Sequence, residues 1–313
     1  MPEGNAAPSA ALGTEDTSDL FRAPPGCSSM PPYALGWLSD EGSAQPYLSY
    51  VDVDPSVNWS DELEALHEES SRSHFLDRWT RGAILDGIVG TDPGATIADV
   101  GCSTGYLLED LRLRWPHADL IGVDLIASGL VKAHAAMPSA RLLHADACAL
   151  PIVDASVDAV VSANLLEHIP DDRRAVSEIA RILRPGGRAA IVVPAGPRTF
   201  DYYDRFLGHE RRYARHELAG KCRDAGLEIV RDGYIASLLY PAFWLVKQRN
   251  RRVHGALRGE ALEAQVARDI ARTHDSRVGA LTWDLERGLA RLGIRLPFGV
   301  RSLVVVARPR STS

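Results

Sequence analysis

Two short runs carry the chemistry of this sequence: Asp99-Val100-Gly101-Cys102-Ser103-Thr104-Gly105 and Leu120-Ile121-Gly122-Val123-Asp124. A glycine directly after an apolar strand lets the backbone turn sharply and approach a ligand closely. The second glycine, Gly105, opens a helix whose N-terminal amides face the same crevice. The spacing is G-x-x-x-G, not the G-x-G-x-x-G of dinucleotide folds, and alone it is equally a structural turn. Asp124 changes that balance. It ends an apolar run 19 residues after Gly105, and a carboxylate at a strand tip accepts two hydrogen bonds at once, as vicinal ribose hydroxyls require. Its bland reading is a helix cap. The expected cofactor contacts are Asp99, Gly101, Cys102, Ser103, Gly105, Asp124 and Leu125.

Further along, His144-Ala145-Asp146-Ala147 ends another apolar run, so Asp146 with Ala147 is placed to meet the exocyclic amine of a base. A capping or solvated loop acid is the alternative. Asn164-Leu165-Leu166-Glu167-His168 follows the next strand, and Asn164 at its tip is a further expected cofactor contact. His168 is the leading candidate for a general base, since an imidazole takes up a proton near neutral pH; packing or capping is the alternative. Glu167 is expected to orient a substrate or to bind a cation. No metal site is expected, because a Glu and a His alone do not make an octahedral oxygen shell. The run Asp201 to Tyr213 adds His209 as a catalytic candidate. It also adds Tyr203, Arg212 and Tyr213 as substrate contacts, against a reading as a loop with surface ion pairs. Trp79, and Trp244 within an apolar stretch that turns basic, complete the substrate candidates.

These residues need a frame. Apolar strands at 96–100, 120–124, 141–145, 157–162, 188–193 and 227–233 alternate with helical periods at 106–114, 127–136, 172–183 and 215–225, which argues a parallel sheet covered by helices on both faces. The expected organisation is a flexible leader at 1–45 rich in Ala, Pro, Gly and Ser, then a strap and helices at 46–90 forming a substrate cap. One of these helices starts at Asp61 behind a Ser60 cap; the other covers Ser73–Ile88. The core spans 91–234, a helical insertion 235–297, and the last strand and tail 298–313. The insertion reads as a lid, a homodimer interface or a membrane-surface element; its apolar run is too short to span a bilayer.

The set of motifs resembles the class I S-adenosylmethionine-dependent methyltransferases over roughly 95–234 and the final strand. Motif I corresponds to Asp99–Gly105, the ribose acid to Asp124, the adenine acid to Asp146, the loop after the fourth strand to 164–168, and Leu183-Arg184-Pro185-Gly186-Gly187 to the turn before the fifth strand. Cys102-Ser103 departs from the small or acidic pair of many members. The resemblance implies an α/β fold with a doubly wound, seven-stranded, mostly parallel sheet and a reversed last strand. It implies S-adenosyl-L-methionine as cofactor and direct transfer of its methyl group. Gly-His-x-Arg-Arg-Tyr segments like 208–213 occur in members acting on sugars, lipids and secondary metabolites. The expected acceptor is therefore a small molecule, most simply a hydroxyl, with an amine or carbon as alternatives. A protein or RNA acceptor, and a non-catalytic cofactor-binding scaffold, are the competing readings.

Bulk properties fit an ordinary soluble chain: 313 residues, 45% hydrophobic, 24% charged, net charge −6. No run of eighteen apolar residues and no secretory leader is seen, so a cytoplasmic location is expected. The four cysteines lack metal-ligand spacing and are expected to be reduced. Residues 1–60 hold eight acids and one base, whereas 244–313 hold fourteen bases and six acids. That basic region is the sole support for an RNA partner. No Asn-Pro-Pro-Tyr signature follows the fourth strand, and no nucleic-acid partner is expected.

Overall fold

The computed structural model describes residues 14–39, 43–51, 74–259, 261–262, 264–266, 268 and 277–310, and structural statements refer to these. Strands β1 (Trp37–Leu38) and β2 (Ala44–Gln45) pair antiparallel, and β3 (Leu48–Ser49) follows. Helix α1 (Phe75–Gly87) leads into β4 (Thr96–Val100), α2 (Tyr106–Arg114), β5 (Asp119–Asp124), α3 (Ala127–Ala136), β6 (Arg141–His144) and β7 (Val157–Ala163). Then come α4 (Asp172–Ile182), β8 (Leu183–Pro194), α5 (Tyr202–Phe206), α6 (Glu217–Asp224), β9 (Glu228–Ile235), α7 (Tyr240–His254), α8 (Arg277–Arg291) and β10 (Arg301–Ala307).

The main sheet has the order β3-β6-β5-β4-β7-β8-β10-β9. β10 runs antiparallel between β8 and β9, with Val304 opposite Ile191 and Leu303 opposite Gly233. The reversed last strand and the mostly parallel core are as expected, with element ends shifted by a residue or two. All five residues of β4 are buried, because a central parallel strand is covered by helices on both faces. Two apolar clusters divide the core, one on each side: Ile121, Val160, Val176 and Val304 in one, Ile97, Leu108, Leu120 and Val305 in the other. Cys27, Cys102, Cys148 and Cys222 are free thiols. No described helix is long and apolar enough to cross a membrane.

The flexible leader is corrected over residues 14–39. Phe21, Tyr33 and Trp37 are buried, and the rings of Phe21 and Trp37 meet edge-on at 5.6 Å. Trp37 Nε1 donates to Leu142 O at 2.9 Å. Three large aromatics outweigh the Pro/Gly/Ser composition, since each buries enough apolar area to offset the ordering of several residues. β3 then pairs with β6, Leu48 opposite Leu143. It adds an eighth strand that covers what would otherwise be a bare parallel edge. Residues 1–13 and the helix expected from Asp61 with its Ser60 cap lie outside the described residues.

Candidate active site

A cavity of about 530 Å³ opens at the carboxyl ends of β4, β5 and β7, where ligands of open α/β sheets bind. Gly101–Thr104, Asp124–Ile126 and Ala163–Leu165 line one half, together with Asp99. The other half is lined by Glu167, His168, Tyr203, His209 and Arg212, with α1 and α7 as its roof through Phe75, Thr80, Phe243 and Lys247. Its volume is that of a small-molecule site.

In the first half the backbone is bent away from ordinary conformations. Gly101 has φ +86°, and a Cβ there would lie 3.0 Å from the Leu165 side chain. Ser103 and Asn164, with φ of 48° and 53°, are left-handed non-glycine residues at the same rim. The amides of Gly101 and Cys102 donate to Val123 O, that of Ser103 to Asp124 Oδ2 at 2.7 Å, and that of Gly105 to Cys102 O. These four turn amides are therefore committed within the protein. What the turn offers a ligand is the bare Cα edge of Gly101. Gly101→Ala is expected to cost about 1–3 kcal/mol through the strained φ and to narrow the cavity mouth against Leu165. A thermal melt with and without S-adenosylhomocysteine reads both effects, and an unchanged pair of melts would refute this account.

Asp124 is held at the tip of β5 by Ser103 N on one oxygen and Ile126 N, at 2.9 Å, on the other. Asp99 is 1% exposed, and neither carboxylate oxygen has a hydrogen-bond partner. Burial, with the Asp124 charge second, pushes its carboxyl well above the usual 3.8. A buried acid without a partner is costly unless a ligand supplies one. Asp146 and Ala147 do not line the cavity; Asp146 Oδ1 accepts from Cys148 N at 2.8 Å, closing its own turn.

The second half is assembled by a stitched loop. Glu167 and His168 sit in a 3-10 turn, Leu166–His168, after β7. Glu210 N donates to Glu167 O, Arg211 Nη2 to Pro170 O, and Tyr213 Oη to Asp172 Oδ2 at 2.6 Å. These bonds draw residues 204–213 against 166–172, so that the His168 and His209 rings meet edge-on at 4.7 Å. Glu167 is 1% exposed, and burial pushes its carboxyl up to about 8.

Behind His209 lies a buried charge network. Asp204, fully buried, accepts from His209 Nδ1 at 2.9 Å and from Arg212 Nε at 2.6 Å. Lys247 Nζ of α7 donates to Asp201 Oδ1 at 2.7 Å and lies 3.4 Å from Asp204 Oδ2. Burial opposes ionisation of Asp204, but His209, Arg212 and Lys247 override it and hold the carboxyl far below its usual range. Burial pushes both His209 and Lys247 down.

Three substrate candidates do not reach the cavity. Trp79 is buried and stacks on Trp283 at 5.6 Å, because its face of α1 packs on α8. Trp244 is 39% exposed; α7 turns Phe243 and Lys247 inward instead. Tyr213 is a core residue tied to Asp172. Tyr203 and Arg212 do line the cavity. Sequence reasoning missed Asp204, Lys247 and Arg301. Arg301, at the start of β10, donates to Asp77 Oδ1 of α1 at 2.7 Å and also lines the cavity. A basic residue in a helical or strand pattern reads as solvated surface, whether in a basic run like Lys247 or by itself like Arg301, so nothing marked either as a cavity residue.

A family model described as a methyltransferase domain matches residues 98–191. A trans-aconitate 2-methyltransferase of Azoarcus is 37% identical over 121 residues, covering 38% of this chain and 47% of that protein. A protein of Mycolicibacterium smegmatis named for S-adenosylmethionine-dependent methyl transfer is 32% identical over 141 residues, covering 44% and 53%. The chain thus spans about half the length of the curated relatives it matches. Among solved structures, the Haloferax volcanii complex of the Trm112 activator with a methyltransferase aligns with a TM-score of 0.55 at 22% identity, covering 81% of this chain and 97% of that one. A phosphoethanolamine N-methyltransferase of Haemonchus contortus aligns at 0.55 and 16% identity, covering 89% and 62%. Both structures support the fold.

Proposed function

We propose that this chain, whose core is a methyltransferase domain of the class I, S-adenosylmethionine-dependent kind, methylates a small-molecule acceptor held under α1 and α7. The observation that carries the cofactor half is Asp99, an acid buried without a partner in the same cavity wall as Asp124. A cationic ligand with vicinal hydroxyls answers both: its positive charge meets Asp99 and its hydroxyls meet Asp124. The bare edge of Gly101 admits it, since a side chain there would meet Leu165.

When bound, S-adenosylmethionine supplies a methyl carbon whose bond to the sulfonium sulfur breaks as the bond to the acceptor atom forms. The protein's part is alignment and exclusion of water. Tyr203, Phe243 and Arg212 wall the acceptor half. His168 also lines that half, which supports a role for its imidazole in taking a hydroxyl proton. The small-molecule reading is supported by a roofed cavity of single-ligand size and by the trans-aconitate enzymes among its relatives. The α7 segment thereby reads as a lid.

Calorimetric titration with S-adenosylmethionine and S-adenosylhomocysteine tests the reading; absence of binding by both would end it. His168→Ala is expected to lower turnover with little change in cofactor affinity, and unchanged turnover would remove His168 from this role. The raised carboxyl of Asp99 adds a pH signature. Because its pKa in the folded chain lies above the usual 3.8, the ligand-free protein loses stability as pH rises through that raised value. A cation beside Asp99 favours the ionised form, so the thermal stabilisation by S-adenosylhomocysteine, which keeps an ammonium group, grows with pH over the same interval. In Asp99→Asn this growth disappears; if it persists, the proton belongs elsewhere.

A further inference from the structure

We propose that Glu167, His168 and His209 bind one divalent first-row transition cation, with an open coordination position facing the acceptor half of the cavity. The existence of the site stands on its geometry alone, while its use rests on the methyl-transfer reading. One potential ligand atom from each residue lies within 4.8 Å of the others. Metal–ligand bonds of about 2.1 Å put neighbouring ligand atoms about 3–3.5 Å apart, so small side-chain rotations close the shell.

Three further features suit a cation. Glu167 Oε2 is buried and has no hydrogen-bond partner, and a metal ion satisfies it. His209 Nδ1 is bonded to Asp204, and an ionised carboxylate can only accept, so Nδ1 carries the proton and Nε2 keeps its lone pair. That is the carboxylate–histidine arrangement that orients metal-ligating imidazoles. Asp204 is itself clamped by Arg212 Nε and by the Lys247 ammonium, so the ring of His209 is fixed before any ion arrives.

The donor set selects the class. One carboxylate and two imidazoles suit zinc, manganese, iron, cobalt or nickel in the divalent state rather than magnesium or calcium, which take oxygen shells. Three protein ligands leave a position for water or substrate. All three residues line the same cavity as Asp99 and Asp124, so that position lies on the acceptor side. The acceptor it favours carries an anionic oxygen: a carboxylate, enolate or phenolate. In that arrangement the cation meets the acceptor oxygen and lowers its pKa, and His168 acts as a ligand of the cation in place of the base role given above. The sequence shows only the adjacent Glu-His pair; the third ligand arrives through the loop after α5.

The test is metal titration of the full chain, stripped with a chelator and dialysed. Co²⁺ serves as a visible-absorption probe, with Zn²⁺ and Mg²⁺ as competitors. One equivalent of Co²⁺ is expected, displaced by Zn²⁺ and not by equal Mg²⁺. Glu167→Gln and His209→Ala are expected to weaken Co²⁺ binding by more than about 100-fold, and Asp204→Asn, a positioning change, by about 10–100-fold. His117→Ala, at an exposed position, leaves it unchanged. Glu167→Gln keeps the shape of the side chain, and its S-adenosylhomocysteine binding reports on folding. Failure of wild-type Co²⁺ binding, displacement by equal Mg²⁺, or wild-type affinity in both Glu167→Gln and His209→Ala overturns the proposal. Loss of S-adenosylhomocysteine binding in the wild type would instead overturn the cofactor reading, and the metal titration would stand.

Discussion

Asp124→Ala is expected to weaken S-adenosylhomocysteine binding by at least about 100-fold, with only a modest change in melting temperature. Two hydrogen bonds from a ligand to a charged acceptor are worth about 1.5–3 kcal/mol each, and each 1.4 kcal/mol is a factor of ten. A second loss adds to the first. Ser103 holds its left-handed conformation while its amide donates to Asp124 Oδ2, and without that acceptor the turn relaxes. Asp146→Ala provides the contrast. Its carboxylate closes a local turn outside the cavity, so it is expected to change affinity by less than about tenfold, the scale of one ordinary hydrogen bond. Calorimetry on both variants decides between them. If Asp124→Ala binds within threefold of wild type, Asp124 is a helix cap and the site has been misplaced.

The second large effect concerns stability. Asp204→Ala removes the buried carboxylate that faces Arg212, His209 and Lys247. Breaking a buried ion pair from one side costs about 3–5 kcal/mol, because the remaining charges stay buried without compensation. At about 2–4 °C per kcal/mol for a domain of this size, the melting temperature falls by roughly 10 °C. Adding Lys247→Met to Asp204→Ala removes one stranded charge and is expected to restore part of that loss. A calorimetric scan of the single and double variants checks the coupling. If the double variant is no better than the single, Lys247 is neutralised by Asp201 alone, to which it donates at 2.7 Å, and α7 is anchored there.

The network has a consequence for the roof of the site. Lys247 is a buried residue of α7 and its partners sit at the start of α5. The same ion pairs that orient His209 therefore hold the roof in place. Glu286 of α8 completes the attachment, accepting from the amide of Ser237 at 2.7 Å just before α7. Glycine turn, stitched loop and roof are three layers of the cavity wall, each fixed by a different kind of force: backbone conformation, loop hydrogen bonds and buried charge.

Much of the frame was legible in the residues themselves. Short, nearly continuous apolar runs, separated by helical periods, place a strand at Thr96–Val100 and a helix at Tyr106–Arg114, because burial on both faces demands apolar residues at successive strand positions. Gly101 and Gly105 announce the turn between them, since no other residue adopts their φ cheaply. Asp124 could be read as a ligand group from its position at a strand tip. These are local signals, carried by neighbours in sequence. The aromatic-bearing segment 14–39 was misread, because its Phe21, Tyr33 and Trp37 are spaced too irregularly for either period to register.

What the sequence alone determined is the first half of the cavity wall: the turn at 101–105, the acid at Asp124 and the parallel core that aims them at one crevice. Only the tertiary structure decided the second half. It alone joined Glu167 and His168 to His209, and Asp204 to Lys247. It turned Trp79 and Tyr213 into core residues and let Phe243 face the cavity in place of Trp244. The physical reason is range. Hydrophobic period and glycine conformation act over a few residues, whereas ion pairs and side-chain clusters depend on where distant loops land, and no local pattern encodes that distance.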